Sequence, residues 1–459
     1  MGGAGNRTGE VGIVRQEIKE GSGMRGMRWA VALLAAAALG AAALLGNGTE
    51  TVAEKQAAAA NAPLLYLSWE PELDAACYEL ELFDAPPEKL PADSASGMAV
   101  YRSGTIYTNS ALILRDHVEK DGLRREALWW RVRPLDLDRK PLAPFSVPAP
   151  YAAEGGMVRY APQPRSHFDR EPGSALLYPV YSFTPLDGAA SYEVEVTDAA
   201  PENPDGAEPS IHRVFSRVIS NANLYDPSPR IGQYWWRVRA MDEAGQPIGV
   251  WSEAEPFRTD PDDRWQAAVA GDSISHGGGR LSYGPADWPY SYAHYLDFPV
   301  VNLSESGDTS AAAVERFDRD IAPFCPEYLL ILTGTNSLRA GVPAADVIRD
   351  LRALQGKCRA LGITPVLLTL PPIHPANIWK AFHQPTAEDW RASFAEVNAF
   401  IRTQVHIDTA APFASWEEMP AELAADGLHG DWRAKRMMAE AINRDMRRIA
   451  PDLKRFPQK

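Results

Sequence analysis

Cysteine is scarce in this chain, with three in 459 residues: Cys77, Cys325 and Cys358. No CxxC pair and no Cys/His cluster at ligand spacing is present, which argues against a structural zinc site. Each cysteine reads first as a small buried hydrophobe. Cys325 and Cys358 both precede an expected parallel strand, so a bridge between them at one end of a sheet is compatible with the pattern. Positive charge is also short: 46 Lys and Arg face 60 Asp and Glu, leaving a net charge of −14 and a pI near 5.2. Binding to nucleic acid needs a basic face, so no nucleic-acid partner is expected. Adsorption to an anionic membrane surface is disfavoured for the same reason.

Long apolar runs are missing apart from Trp29 to Leu45, "WAVALLAAAALGAAALL". Arg25 and Arg28 precede it, and Glu50 and Glu54 follow it. That polarity keeps the N-terminus cytoplasmic and exports the rest to the cell surface or beyond. The run is at the short end for a spanning helix. The nearest small-residue cleavage pattern, Ala60-Asn61-Ala62, lies far beyond it. A cleaved signal and a membrane anchor over residues 29–45 both fit, and the distance tilts the reading toward an anchor. Residues 1–61 are accordingly read as leader, apolar segment and linker.

What is present begins with a repeat. "LYLSWEP", "CYELELFD" and "LWWRVRPLDLDRKPLAPFS" recur as "PVYSFTP", "SYEVEVTD" and "YWWRVRAMDEAGQPIGVWS". Tyr78, Leu80 and Leu82 alternate with Glu79 and Glu81, and Trp130 and Val132 alternate with Arg131 and Arg133. Period two between turn residues predicts half-buried antiparallel strands. Each copy is of β-sandwich size. In the pairs Trp129-Trp130 and Trp235-Trp236, one ring is expected in the core and the other on an outer face. Residues 62–150 and 160–258 resemble fibronectin type III domains, the second more closely than the first. Neither copy carries a catalytic constellation.

After "FRTDPDDRW" the pattern changes. The runs "QAAVAG", "PVVNLS", "YLLILTG", "TPVLLTL" and "VHIDTA" alternate with helical stretches such as Ala344 to Leu361. Continuous apolar strands between helices predict a parallel sheet covered on both faces, over residues 263–455. Ligands of such a sheet bind at the carboxyl ends of its strands.

Polar residues follow those strands in order: Gly271-Asp272-Ser273, then Ser304-Glu305-Ser306-Gly307, then Gly334-Thr335-Asn336, and last Asp426-Gly427-Leu428-His429. Acyl transfer needs a hydroxyl nucleophile, a base, a carboxylate to orient the base, and donors for the oxyanion. Ser273 fits the nucleophile, His429 the base and Asp426 the orienting carboxylate. The backbone N–H groups of Ser273 and Gly307 and the amide of Asn336 fit the donors. His276 reads as a pocket-lining or structural residue. His294, His374 and His383 have no comparable support, and Asp308 and Asp408 read as loop and strand-end residues.

These four blocks resemble the SGNH (GDSL-like) hydrolase superfamily. The resemblance covers the last 190 or so residues. It implies a flavodoxin-like α/β/α fold and serine-dependent ester hydrolysis with no cofactor and no metal. One departure is Ser337, where the third block usually has an Asp after its Asn; another is Glu305, an acidic neighbour of Gly307. The combined expectation is a multidomain chain, two all-β sandwiches followed by an α/β/α domain. It would act as an exported esterase on acyl, first of all O-acetyl, esters of a polysaccharide. The alternatives are a lipid esterase or lysophospholipase, and a non-catalytic glycan-binding surface protein.

Overall fold

The computed structural model describes residues 64–84, 86, 96–118, 128–151, 159–168, 170–279 and 283–457. The apolar segment 29–45 lies outside them, and the anchor reading with it. Among the described residues no helix is long and apolar enough to cross a membrane.

The first repeat forms β1 (Leu64–Ser68), β2 (Cys77–Phe83), β3 (Tyr101–Ile106), β4 (Ser110–Leu114), β5 (Trp129–Leu135) and β6 (Ala149–Pro150). One sheet pairs β1 with β4; the other runs β3-β2-β5-β6. The second repeat forms β7 (Gln163–Pro164), β8 (Val180–Thr184), β9 (Ser191–Thr197), β10 (Arg213–Ile219), β11 (Asn223–Tyr225), β12 (Gly232–Met241), β13 (Pro247–Ile248) and β14 (Glu255–Thr259). Its sheets run β11-β8-β7 and β10-β9-β12-β13, with β14 also on β12. Leu80 stands opposite Val132 in the first copy and Val194 opposite Val238 in the second, all antiparallel. Inward-facing residues fill each core as the alternation requires: Leu80 and Leu82 in one, Val194, Val196 and Trp236 in the other.

The opposite face departs from the half-buried expectation. Glu81 and Glu195 are both fully buried, and Arg131 and Arg237 nearly so. The register explains why. Glu81 faces Arg131 and Glu195 faces Arg237 across neighbouring strands. Glu81 accepts from Arg131 at 2.7 and 2.8 Å, from Arg102 at 3.0 Å and from the Ser96 N–H at 2.8 Å. Glu195 accepts from Arg237, from Arg213 at 2.5 Å and from the Ser210 N–H at 3.0 Å. An aromatic ring then covers each ladder. Phe145 lies 4.0 and 4.3 Å from the Arg131 and Arg133 guanidinium carbons, and Trp251 lies 4.6 and 4.5 Å from those of Arg237 and Arg239. A charge can be buried when it is paired and its lone pairs are satisfied.

The last region forms β15 (Ala267–Gly271), β16 (Val301–Asn302), β17 (Tyr328–Leu332), β18 (Thr364–Leu368) and β19 (His406–Ile407). All pairs are parallel, in the order β16-β15-β17-β18-β19. The helices are α1 (Ser273–His276), α2 (Ser310–Asp320), α3 (Thr335–Arg339), α4 (Ala344–Ala360), α5 (Pro375–Phe382), α6 (Trp390–Arg402) and α7 (Trp432–Ile449). Helix α4 packs between α2 and α6, while α7 packs against the turns at 288–295. This is consistent with an α/β/α layering whose strand order reverses beside β15, the position where such sheets open a crevice. The cysteine bridge does not form. Cys325 is exposed in a left-handed turn with its Sγ 3.5 Å from the Leu361 carbonyl, while Cys358 is buried on α4, so both thiols are free.

Both sandwiches are bonded to this α/β region. The stretch before β8 adds to the sheet edge: Leu176 bridges Asn302 in parallel, with Leu177 N–H to Asn302 O at 2.9 Å and Asn302 N–H to Ala175 O at 2.8 Å. The first sandwich reaches in by one loop, where the Tyr283 hydroxyl donates to Ala75 O at 2.6 Å and that of Tyr290 donates to Leu73 O. Arg165 joins three regions, donating to Asn109 at 3.0 Å and lying 3.6 Å from Asp287.

Candidate active site

The site lies where loops leave the carboxyl ends of β15, β16 and β17 and meet the turn before α7. Strand β15 is built from small residues, all buried. Asp272 ends it and caps α1, its Oδ1 accepting the Ile274 N–H at 3.0 Å. Capping fixes the turn on which Ser273 begins the helix. Asp272 is itself buried, and burial pushes its carboxyl up to about 6, against the opposing pull of His429, Lys435 and Arg339.

The turn 426–429 brings base and carboxylate to that serine. His429 Nε2 lies 2.7 Å from Ser273 Oγ, and His429 Nδ1 lies 2.9 Å from Asp426 Oδ2. The other oxygen of Asp426 accepts the backbone N–H groups of Leu428 at 2.9 Å and His429 at 2.8 Å. Burial alone would raise Asp426. The His429 imidazole and these N–H donors outweigh it and hold the carboxyl below its ordinary range. A carboxylate on Nδ1 leaves Nε2 free to take a proton from the serine hydroxyl, the arrangement a serine nucleophile needs. The ring of Phe382, at the end of α5, meets His429 edge-on at 6.2 Å.

Gly307 has φ 94, a left-handed conformation that favours glycine. Asn336, on α3, donates from Nδ2 to Asp308 O at 2.9 Å, which ties the second and third loops together. Its Oδ1 accepts from Arg339 Nε at 3.1 Å, so the orientation of the amide is set. Ser337 takes a structural role at its divergent position: its Oγ accepts the Ser310 N–H at 3.0 Å, joining α3 to the start of α2. Glu305 is half-buried and its N–H donates to Gly271 O at 3.1 Å. Behind the second loop Arg316 holds Asp308 at 2.5 Å and the Leu303 carbonyl at 2.7 Å.

Of the remaining histidines, His276 is buried in this neighbourhood, and His374 reaches it by its backbone, its N–H donating to Gly427 O at 2.7 Å. His294 lies 3.9 Å from Glu171, His374 caps α5, and His383 ends it. Asp408 holds Thr369 at 2.7 Å and Arg402. Sequence reasoning missed Arg339 and Lys435. Arg339 follows Asn336 by one helical turn, a spacing that could have flagged it. Lys435 is fully buried on α7, donates to Ile274 O at 2.6 Å, and is pushed down to about 8 by burial. Nothing local in its sequence marks it. Among the described residues no group of three His, Cys, Asp or Glu could hold a metal ion.

Residues 269–433 match the model of the GDSL-like Lipase/Acylhydrolase family. The C-terminal region is a GDSL-like lipase/acylhydrolase domain. Esterase TesA of Pseudomonas aeruginosa is 35% identical over 88 residues, which is 19% of this chain and 44% of that protein. The chain therefore spans less than half the length of that curated relative. Among solved structures, the lipase/acylhydrolase of Enterococcus faecalis is 19% identical, with 42% of this chain and 100% of that one covered and a TM-score of 0.34. For Axe2, an acetyl-xylooligosaccharide esterase from Geobacillus, the values are 18%, 42%, 96% and 0.30.

Proposed function

We propose that the chain is an exported serine esterase whose GDSL-like domain cleaves acyl esters by a Ser273-His429-Asp426 mechanism. The observation that carries this reading is the continuous hydrogen-bonded line from Ser273 Oγ through His429 to Asp426. In it, His429 Nε2 takes the Ser273 proton as Oγ attacks the ester carbonyl. Asp426 holds the imidazole in the right tautomer and stabilises the imidazolium. The Ser273 and Gly307 N–H groups and the second Nδ2 hydrogen of Asn336 receive the oxyanion. One such donor is worth about 3 kcal/mol of transition-state stabilisation. The imidazolium then protonates the leaving alcohol, and water repeats the sequence to free the acid.

The substrate we favour is an O-acetyl ester on a carbohydrate. Charged groups beside the site, Glu305 and Arg339, and the exposed Trp379 on the helix that carries Phe382, support a polar, ring-bearing substrate. Export rests on the polarity of residues 25–54, and the fibronectin type III reading of the sandwiches rests on the repeated strand pattern.

The test is hydrolysis of p-nitrophenyl acetate and octanoate by the full chain and by Ser273→Ala. The wild type is expected to turn over acetate faster than octanoate and to bind a fluorophosphonate covalently. Ser273→Ala is expected to lose at least ~10³-fold in kcat/KM and to lose the adduct. No turnover and no adduct with wild type would remove the esterase reading. A preference for octanoate would replace the carbohydrate reading with the lipid one.

A further inference from the structure

His276 stands between the second sandwich and the loop that carries Gly307. Its Nε2 lies 2.7 Å from the Tyr178 carbonyl oxygen and its Nδ1 lies 2.8 Å from Ser306 Oγ. A carbonyl can only accept, so Nε2 carries the hydrogen. Nδ1 is then the acceptor, and the Ser306 hydroxyl donates to it. The ring is buried and its burial holds it neutral, down to about 4. Both ring nitrogens are therefore committed, and neither is available to a substrate proton.

Each end of this bridge is itself fixed. Tyr178 belongs to the stretch that pairs with Asn302, and its hydroxyl donates to Asp320 at 2.7 Å and accepts from Arg319 at 2.8 Å. The Arg316 guanidinium carbon stands 5.8 Å from the ring centroid. On the near side, Asn302 Nδ2 donates to the carbonyls of Ser275 and His276 at 2.9 and 3.1 Å, so the backbone bearing the ring is also held. Ser306 directly precedes Gly307. Its position sets where the Gly307 N–H points.

We infer that His276 is a positioning residue: it takes its place from Tyr178 of the sandwich region and, through Ser306, sets the Gly307 N–H as an oxyanion donor. The sandwich is then part of the catalytic apparatus without touching substrate. This inference rests on the esterase reading and on the donor role given to Gly307.

The two bonds can be separated, because Asn and Gln each reproduce one side of the ring. In His276→Asn the side-chain oxygen can accept from Ser306 while the Tyr178 bond is lost. In His276→Gln the amide can donate to Tyr178 O while the Ser306 bond is lost. Ser306→Ala removes the second bond alone and keeps the histidine. Full-length variants are compared for kcat and KM on the same acetyl ester, with thermal unfolding to confirm folding. His276→Gln and Ser306→Ala are expected to lower kcat by about 10- to 100-fold with KM changed less than about threefold, the signature of a misplaced transition-state donor. His276→Asn, which keeps the Ser306 bond and loses the Tyr178 hold, is expected to lower kcat by about 3- to 10-fold, less than either of them. An active wild type whose folded Gln and Ser306→Ala variants retain its kcat would overturn the positioning role. An Asn variant with the kcat of wild type would overturn the part given to Tyr178. An inactive wild type without a fluorophosphonate adduct would instead overturn the esterase reading, and the inference with it.

Discussion

The two sandwiches share one interior plan and differ in how they hold the α/β domain. Each buries a glutamate, Glu81 on β2 and Glu195 on β9, under a pair of arginines and roofs them with an aromatic ring, Phe145 in the first and Trp251 in the second. Their attachments are unequal. The first sandwich offers a loop whose carbonyls accept two tyrosine hydroxyls. The second adds backbone to the sheet edge, and Tyr178 beside it accepts from His276 through its carbonyl while its ring sits in the same apolar core as β15 and β17. Repetition of a module fixes how it folds. It does not fix what it is attached to.

Cutting the modules away separates the two attachments most sharply. Residues 263–459 alone would carry β16 as an open edge beside a cavity vacated by Leu177 and Tyr178, an arrangement prone to misassociation. That fragment is expected to give no cooperative unfolding transition and to aggregate on size exclusion. The chain without residues 64–151 keeps the edge pairing and is expected to unfold cooperatively and to hydrolyse ester within about tenfold of the full chain. The reverse result would exchange the roles of the two modules.

Next in size is the loss of one ladder glutamate. Removing one partner of a buried pair leaves an uncompensated charge, at a cost of about 3–5 kcal/mol. Glu81→Ala and Glu195→Ala are expected to fall in that range, measured by urea unfolding. Only Glu195→Ala should also depress hydrolysis at temperatures short of the main transition, because only its sandwich reaches His276 and the sheet edge. Equal activity losses for the two would argue against the asymmetry.

The smallest effect is in the acid range. His276 has its folded value lowered to about 4 from an ordinary 6.5. Between these values the unfolded chain binds a proton that the folded chain does not, so stability falls as pH drops from about 6.5 to 4. At pH 4.5 this amounts to about 2–3 kcal/mol. His276→Asn removes the titrating ring, so its loss of stability between pH 7 and 4.5 is expected to be smaller than that of wild type by this amount. Identical slopes by urea titration would show that the ring is not buried as described.

Much of this was legible in the sequence. The parallel sheet of the last domain showed in its apolar runs, and the four blocks that converge on Ser273 showed in their order. The strand pattern of the repeats showed too, but not the burial of Glu81 and Glu195. Period two tells which face a residue occupies, and says nothing of what covers that face. Here the covers are Phe145 and Trp251, brought from loops on the far side of β5 and β12. The part played by His276 was illegible because its partner Tyr178 lies 98 positions away along the chain. Lys435 acts through a contact with Ile274, 161 positions away, that no local spacing encodes, whereas the one-turn spacing of Arg339 from Asn336 was there to be read. The glycines 277–279 become intelligible only in three dimensions: a Cβ on Gly279 would lie 2.4 Å from the Tyr290 ring and 2.5 Å from the Gly430 carbonyl, beside His429.

The bridge of Leu176 to Asn302 bears on the order in which the molecule is made. Residues 175–177 leave the ribosome long before Asn302, the residue they must pair with. A contact so distant in sequence closes late, since its loop entropy must be met before it stabilises anything. The second sandwich can assemble first, as domains generally do in order of synthesis. It then holds out a short extended segment with its hydrogen-bonding groups toward water until β15 and β16 arrive. On that order the parallel sheet completes its edge on a template that is already folded, and the loop after β16 takes its position from a module made earlier.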